Sequence, residues 1–143
     1  MGKPQIATFE DLQVGQTASV EKQIRDEDLR AFVDLTGDAN PIHTDDTFAG
    51  STFFQGRIAH GLLTASLLST VIGMKLPGTG AIYRSQTLEF LKPVRVGDSV
   101  TATARIESLD PARNEIRLAC RIDRGDGETV VRGTAIVSLI RSR

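Results

Sequence analysis

At 143 residues the chain has room for one domain with a real core and not for two of ordinary size. Charged residues make up 24% and the net charge is −1, so neither nucleic acid nor an anionic membrane is expected as a partner. One cysteine, Cys120, excludes an intramolecular disulfide, and with two histidines it leaves no zinc set, so neither metal nor cofactor is expected.

Residues 1–12 are a mixed polar segment in which Phe9 and Leu12 are the anchors. The start carries no charged-plus-apolar leader and the longest apolar run is far short of a membrane span, so the expectation is a soluble, cytoplasmic protein. Val14-Gly15-Gln16 reads as a turn into a strand over 17–24, with Ala18, Val20 and Lys22 on one side. Asp26 is the predicted N-cap of a helix with Glu27 and Asp28 in its first turn. Leu29, Phe32 and Val33 fall at i, i+3, i+4 and give that helix one buried face; it stops at Gly37.

A polar loop follows, Asp38-Ala-Asn-Pro-Ile-His43, and then a short helical turn over 45–49. Residues 50–58 hold Phe53 and Phe54 but no clean period and read as a loop. Residues 61–74 contain no charge and are apolar on every face, the pattern of a helix buried all round. The remainder predicts strands over 81–91, 99–109, 115–123 and 129–140. Alternation is clearest at Val100, Ala102, Ala104 and Ile106, and repeats at Ile116, Leu118, Cys120 and Ile122. Asp110-Pro111 and Gly125-Asp126-Gly127 supply turns between antiparallel neighbours. The whole, residues 1–143, reads as a single α+β domain: a curved antiparallel sheet wrapped around a central apolar helix.

The loop after Gly37 places an acid, Asp38, and a base, His43, five residues apart beside a stiffening proline. His60-Gly61 opens the apolar helix, where backbone N–H groups lack intrahelical partners. Together they suggest a catalytic site. Taken singly each has a plainer role: Asp38 as a turn residue, His43 as a surface or packed histidine, His60 as a ring bonded to the helix start or the loop.

The run Gly-Asp-Ala-Asn-Pro-Ile-His43 with Ala49 six residues on resembles the hydratase-2 motif of the MaoC-like (R)-specific enoyl-CoA hydratases. The resemblance continues through Ile58-Ala-His-Gly61, Pro77-Gly78, Ile82-Tyr83 and Phe90-Leu-Lys-Pro-Val-Arg-Val-Gly-Asp98. It implies a hot-dog fold, a homodimer, and reversible hydration of a trans-2-enoyl thioester to an (R)-3-hydroxyacyl thioester carried on coenzyme A or acyl carrier protein. It implies Asp38 and His43 as the catalytic pair, with the amide of Asn40 orienting them and His60 in support. The Gly61 N–H is suited to the thioester oxygen. Ser69 matches a position near the thioester, and the acyl tail is expected to run past Ile72 towards Val137, or against Phe53 and Phe54. Short to medium acyl chains follow from the moderate size of those side chains. A hot-dog acyl thioesterase is disfavoured because the helix over 61–74 has no Asp or Glu. A non-catalytic acyl-binding subunit is disfavoured by the intact Asp38/His43 pair.

Overall fold

Strands whose alternate residues are small and apolar pair along their length and bury one face. The computed structural model, which describes residues 2–141 and 143, has six strands, β1 (Thr17–Gln23), β2 (Ala81–Gln86), β3 (Glu89–Phe90), β4 (Ser99–Asp110), β5 (Glu115–Arg124) and β6 (Thr129–Leu139), of which β4, β5 and β6 bury a face in this way. Every pairing is antiparallel, in the order β1-β4-β5-β6-β2, with β3 also on β6. Ala102 sits opposite Val20 on one side and Ile122 on the other, and Ala104 opposite Ala18 and Cys120. The predicted inward set from Val100 to Ile106 and from Ile116 to Ile122 is buried. Cys120 is a free thiol among them.

The helices are α1 (Asp26–Thr36), α2 (Pro41–Thr44), α3 (Asp46–Gly50), α4 (Gly61–Ala65) and α5 (Leu67–Met74). Leu68, Val71 and Ile72 of α5 are sealed against the concave face, where α5 meets β1, β4, β5 and β2. Among the described residues no helix is long and apolar enough to cross a membrane.

Three expectations are corrected. The helix over 61–74 is two segments broken at Ser66, and it is not buried all round: Leu62 is 62% and Met74 77% exposed. The sheet covers only one side, and the uncovered side carries Gly61, Ser66, Ser69, Thr70 and Gly73. Asp26 is the first helical residue of α1, not its cap. Asp28 reaches back to accept the Arg25 N–H at 2.8 Å, which frees the Asp26 carboxylate for Arg57 at 2.7 Å and Arg30 at 2.8 Å. The strand expected over 81–91 is broken between β2 and β3. There the Thr87 carbonyl crosses directly over Gly133 of β6, so closely that a Cβ on 133 would stand 1.8 Å from its oxygen. Thr87 is pinned by its N–H to the Thr134 carbonyl and by its Oγ1, which accepts the Thr134 N–H, both at 2.9 Å.

Candidate active site

Gly37 ends α1 at φ 79°, a left-handed turn that glycine adopts without strain, and turns the chain towards the start of α4. Asp38 follows at the surface. Its N–H donates to Thr36 Oγ1 at 3.2 Å and its Oδ1 accepts the Asn40 N–H at 3.3 Å. The Asn40 Oδ1 is turned elsewhere: it accepts the Ile42 N–H at 3.2 Å and caps α2, with Pro41 at its first position. Asn40 therefore steadies Asp38 through its backbone, not through the amide expected from the sequence.

One turn of α2 carries His43 back to the same point. His43 Nδ1 lies 2.7 Å from the Ile58 carbonyl; a carbonyl only accepts, so Nδ1 carries the proton and Nε2 keeps its lone pair. His60 Nε2 lies 2.9 Å from the Asp38 carbonyl and by the same reasoning is protonated. The two imidazoles stack, centroids 3.8 Å apart and planes 29° apart, with Phe32 packed at 4.6 Å on His60. Arg57 closes the back of the loop: it donates to Asp26 and Asp46 at 2.7 Å and to the His43 carbonyl at 3.3 Å. Its guanidinium holds the Asp26 carboxyl below the ordinary carboxylate range.

Asp38, His43 and His60 each bring a potential ligand atom within 4.8 Å of the others, which among the described residues is the one grouping of a kind that could face a cation. The geometry does not suit one. A metal lies near the plane of each imidazole that binds it, at about 2.0–2.1 Å for zinc. Rings stacked at 3.8 Å and 29° share no such point.

The opposite wall comes from far along the chain. The Ala59 N–H donates to the Val94 carbonyl at 2.7 Å and Ile58 bridges to Arg95, which lays the stretch from Phe90 to Val94 beside His60-Gly61. Between the walls is an apolar cavity of about 530 Å³ that reaches Asp38, His43, His60 and Gly61 and is otherwise lined chiefly by apolar residues such as Phe32, Phe54 and Phe90. Gly61 begins α4, and among the described residues its N–H is taken by neither a carbonyl nor a capping side chain. The Phe90 ring lies so close over it that a Cβ on 61 would come within 2.7 Å.

The structure thus brings Asp38, His43, His60 and Gly61 together on one cavity. Ser69 lies elsewhere, on a shallower pocket of about 300 Å³ with Leu62, Tyr83 and Arg84. Ile72 and Val137 are sealed in the core and line neither of these cavities. Phe53 is 95% exposed, whereas its neighbour Phe54 lines the cavity. Phe32, expected on the buried face of α1, also lines this cavity, as does Thr64, a polar residue one turn beyond His60. Its position at i+4 from a histidine was the available signal.

Residues 10–123 match the family described as the MaoC like domain. The chain belongs to that family. A 3-hydroxybutyryl-CoA dehydratase of Methylorubrum extorquens is 50% identical over 131 residues, covering 92% of this chain and 83% of the relative. An (R)-specific enoyl-CoA hydratase of Rhodospirillum rubrum is 44% identical over 131 residues, covering 90% of this chain and 89% of the relative. Among solved structures, the unliganded R-hydratase PhaJ1 of Pseudomonas aeruginosa superposes with a TM-score of 0.89 at 37% identity, covering 96% of this chain and 88% of that one. This MaoC-like chain has the hot-dog fold of those neighbours, α+β with one curved antiparallel sheet.

Proposed function

We propose that residues 1–143 form one MaoC-like domain that catalyses the reversible, (R)-specific hydration of trans-2-enoyl-CoA to (R)-3-hydroxyacyl-CoA. One observation carries the reading: the Asp38 carboxylate and a His43 ring with its Nε2 lone pair unspent meet on the same apolar cavity as the unpaired Gly61 N–H. The relatives named above as an (R)-specific enoyl-CoA hydratase and a 3-hydroxybutyryl-CoA dehydratase support it from an independent side.

In this assignment a water sits between the Asp38 carboxylate, which accepts one of its O–H groups, and His43 Nε2, which takes the other proton. The water oxygen bonds to the β-carbon, and the C=C pair moves through the α-carbon to the thioester oxygen, where the Gly61 N–H receives the growing charge. The imidazolium returns its proton to the α-carbon, on the face from which the water came. A positioned acid–base pair contributes about 10²–10⁴ in rate and one oxyanion donor roughly 10²–10³. The helix between His60 and Met74 carries no carboxylate that could drive water at the thioester carbonyl, which weighs against hydrolysis.

The assembly assigned to the chain is a homodimer acting in the cytoplasm. β2 is an edge strand that offers Ile82 and Tyr83 to solvent, beside the uncovered side of α4 and α5. An edge of that kind invites a second sheet. Light scattering that finds a stable, active monomer removes this part of the proposal.

Incubating the purified protein with crotonyl-CoA and following the conjugated enoyl absorbance is the deciding experiment. Loss of absorbance with formation of the (R)-3-hydroxy product is expected. No turnover, release of free coenzyme A, or the (S) product overturns the assignment.

A further inference from the structure

One ring touches both members of the proposed catalytic pair. His60 holds the backbone of Asp38 through Nε2 and covers one face of His43. It is 2% exposed, and its Nδ1 is buried with no partner among the described residues. Thr64, also 2% exposed, has its Oγ1 in the same condition. The two residues are four apart at the head of α4, one turn above each other on one face, and both line the cavity.

Two buried polar atoms without a partner among the described residues, on residues one helical turn apart, are complementary here. With the proton on Nε2, Nδ1 is an acceptor, and the threonine hydroxyl is a donor free to rotate. Buried polar atoms are as a rule satisfied by protein or by an ordered water, and a water bonded to both fits a polar niche of this kind. Packing alone would be served better by an apolar ring, because every polar atom buried here costs stability unless it is paired.

We propose that His60, its tautomer and ring angle fixed by the Thr64 hydroxyl directly or through one water, is the positioning residue that holds Asp38 and His43 at a single separation. The inference rests on the assignment of Asp38 and His43 as the acid–base pair. The order is Thr64 O–H to His60 Nδ1, His60 Nε2–H to the Asp38 carbonyl, and the His60 face against His43. A shift of either catalytic group by an ångström misplaces the water between them, and a misplacement of that size can cost about 100-fold in rate.

The chain has two histidines, so a nitrogen-15 spectrum of its imidazoles contains two ring systems and reports both tautomers without substrate. Wild type is expected to show one ring protonated on Nε2, which is His60, and one on Nδ1, which is His43. Thr64→Val keeps the shape and removes the hydroxyl. It is expected to shift or broaden the His60 nitrogens and to lower kcat about 10-fold with KM little changed, the mark of an interaction used in the transition state. Thr64→Ser is expected to restore both. His60→Phe keeps a ring and loses the donor, and is expected to lose about 10- to 100-fold in kcat. A His60 ring protonated on Nδ1 overturns the proposal. So does a Thr64→Val protein with wild-type kcat and unchanged His60 signals. If His60→Phe does not fold, the threonine pair and the spectra still decide. If wild type fails to hydrate crotonyl-CoA, it is the proposed function that falls, while the tautomers remain a separate measurement.

Discussion

The Phe90 ring lies across Gly61, with ring carbons 2.7 and 2.8 Å from where a Cβ on residue 61 would stand. Phe90 is half exposed and able to swing, so an alanine at 61 displaces a side chain and leaves the backbone in place. The displaced ring moves within the cavity where the thioester must lie. Gly61→Ala is therefore expected to fold normally and to lose about 10- to 100-fold in kcat/KM for crotonyl-CoA, the scale of a misplaced reacting group. Adding Phe90→Ala should recover part of the loss. Steady-state kinetics of the single and double variants checks it, and a double variant no better than Gly61→Ala argues that the methyl obstructs the substrate itself.

Asp38→Asn and His43→Ala are each expected to reduce hydration by at least about 100-fold with the circular dichroism spectrum unchanged. The double variant should be little worse than either single, since both groups act on one water. Near-wild-type turnover in either single variant removes the assignment.

The Asp26 carboxyl is held below its ordinary 3.8, first by the hydrogen bond from Arg57 and then, against the opposing effect of desolvation, by the charges of Arg30 and Arg57. A carboxyl lowered on folding adds stability above its unfolded value and loses it as pH falls through the folded one. Asp26→Asn should thus lower Tm at pH 7, and the gap from wild type should close below about pH 4 as the native carboxyl protonates. A gap that persists undiminished into acid would trace the effect to packing.

Tyr83 is the single tyrosine. The residue is 40% exposed along the β2 edge, yet desolvation on the covered side of its phenol, with a smaller effect from Cys120, raises it from 10 to about 12. A tyrosine raised on folding leaves stability untouched below the unfolded value and lowers it as pH climbs towards the folded one. Ultraviolet titration of folded protein should give a midpoint near 12. A midpoint at 10 while the circular dichroism is still native contradicts this desolvation.

The parts of this molecule that could be read from its sequence are those in which neighbours in the chain are neighbours in space. Gly37, Asp38 and His43 lie on one short loop, so glycine's left-handed turn and the proline at 41 announced an acid and a base at one place. The alternation from Val100 to Ile106 named the buried face of β4 for the same reason. What stayed hidden depends on partners far along the chain. That Asp26 is the first residue of α1 and not its cap goes with its carboxylate being paired to Arg57, 31 residues on. The far wall of the cavity exists because Ala59 bonds to Val94, and periodicity carries no sign of that pairing. The apolar run from Gly61 looked buried on all sides because composition records how apolar a helix is, not how far one sheet reaches around it.

Gly133 touches no part of the cavity, yet the break that starts β3, and with it the course of the chain into Phe90, rests on the absence of a side chain there. With the Thr87 carbonyl 1.8 Å from the missing Cβ, even alanine must push the β2–β3 crossing off β6. A saturation screen scored by turnover alone would therefore place Gly133 among the catalytic positions, and only a parallel measurement of folding would return it to the sheet. For anyone diversifying this scaffold towards other acyl groups, residue 133 is a position to leave out of the library, while Phe90, which lines the cavity, is one to vary.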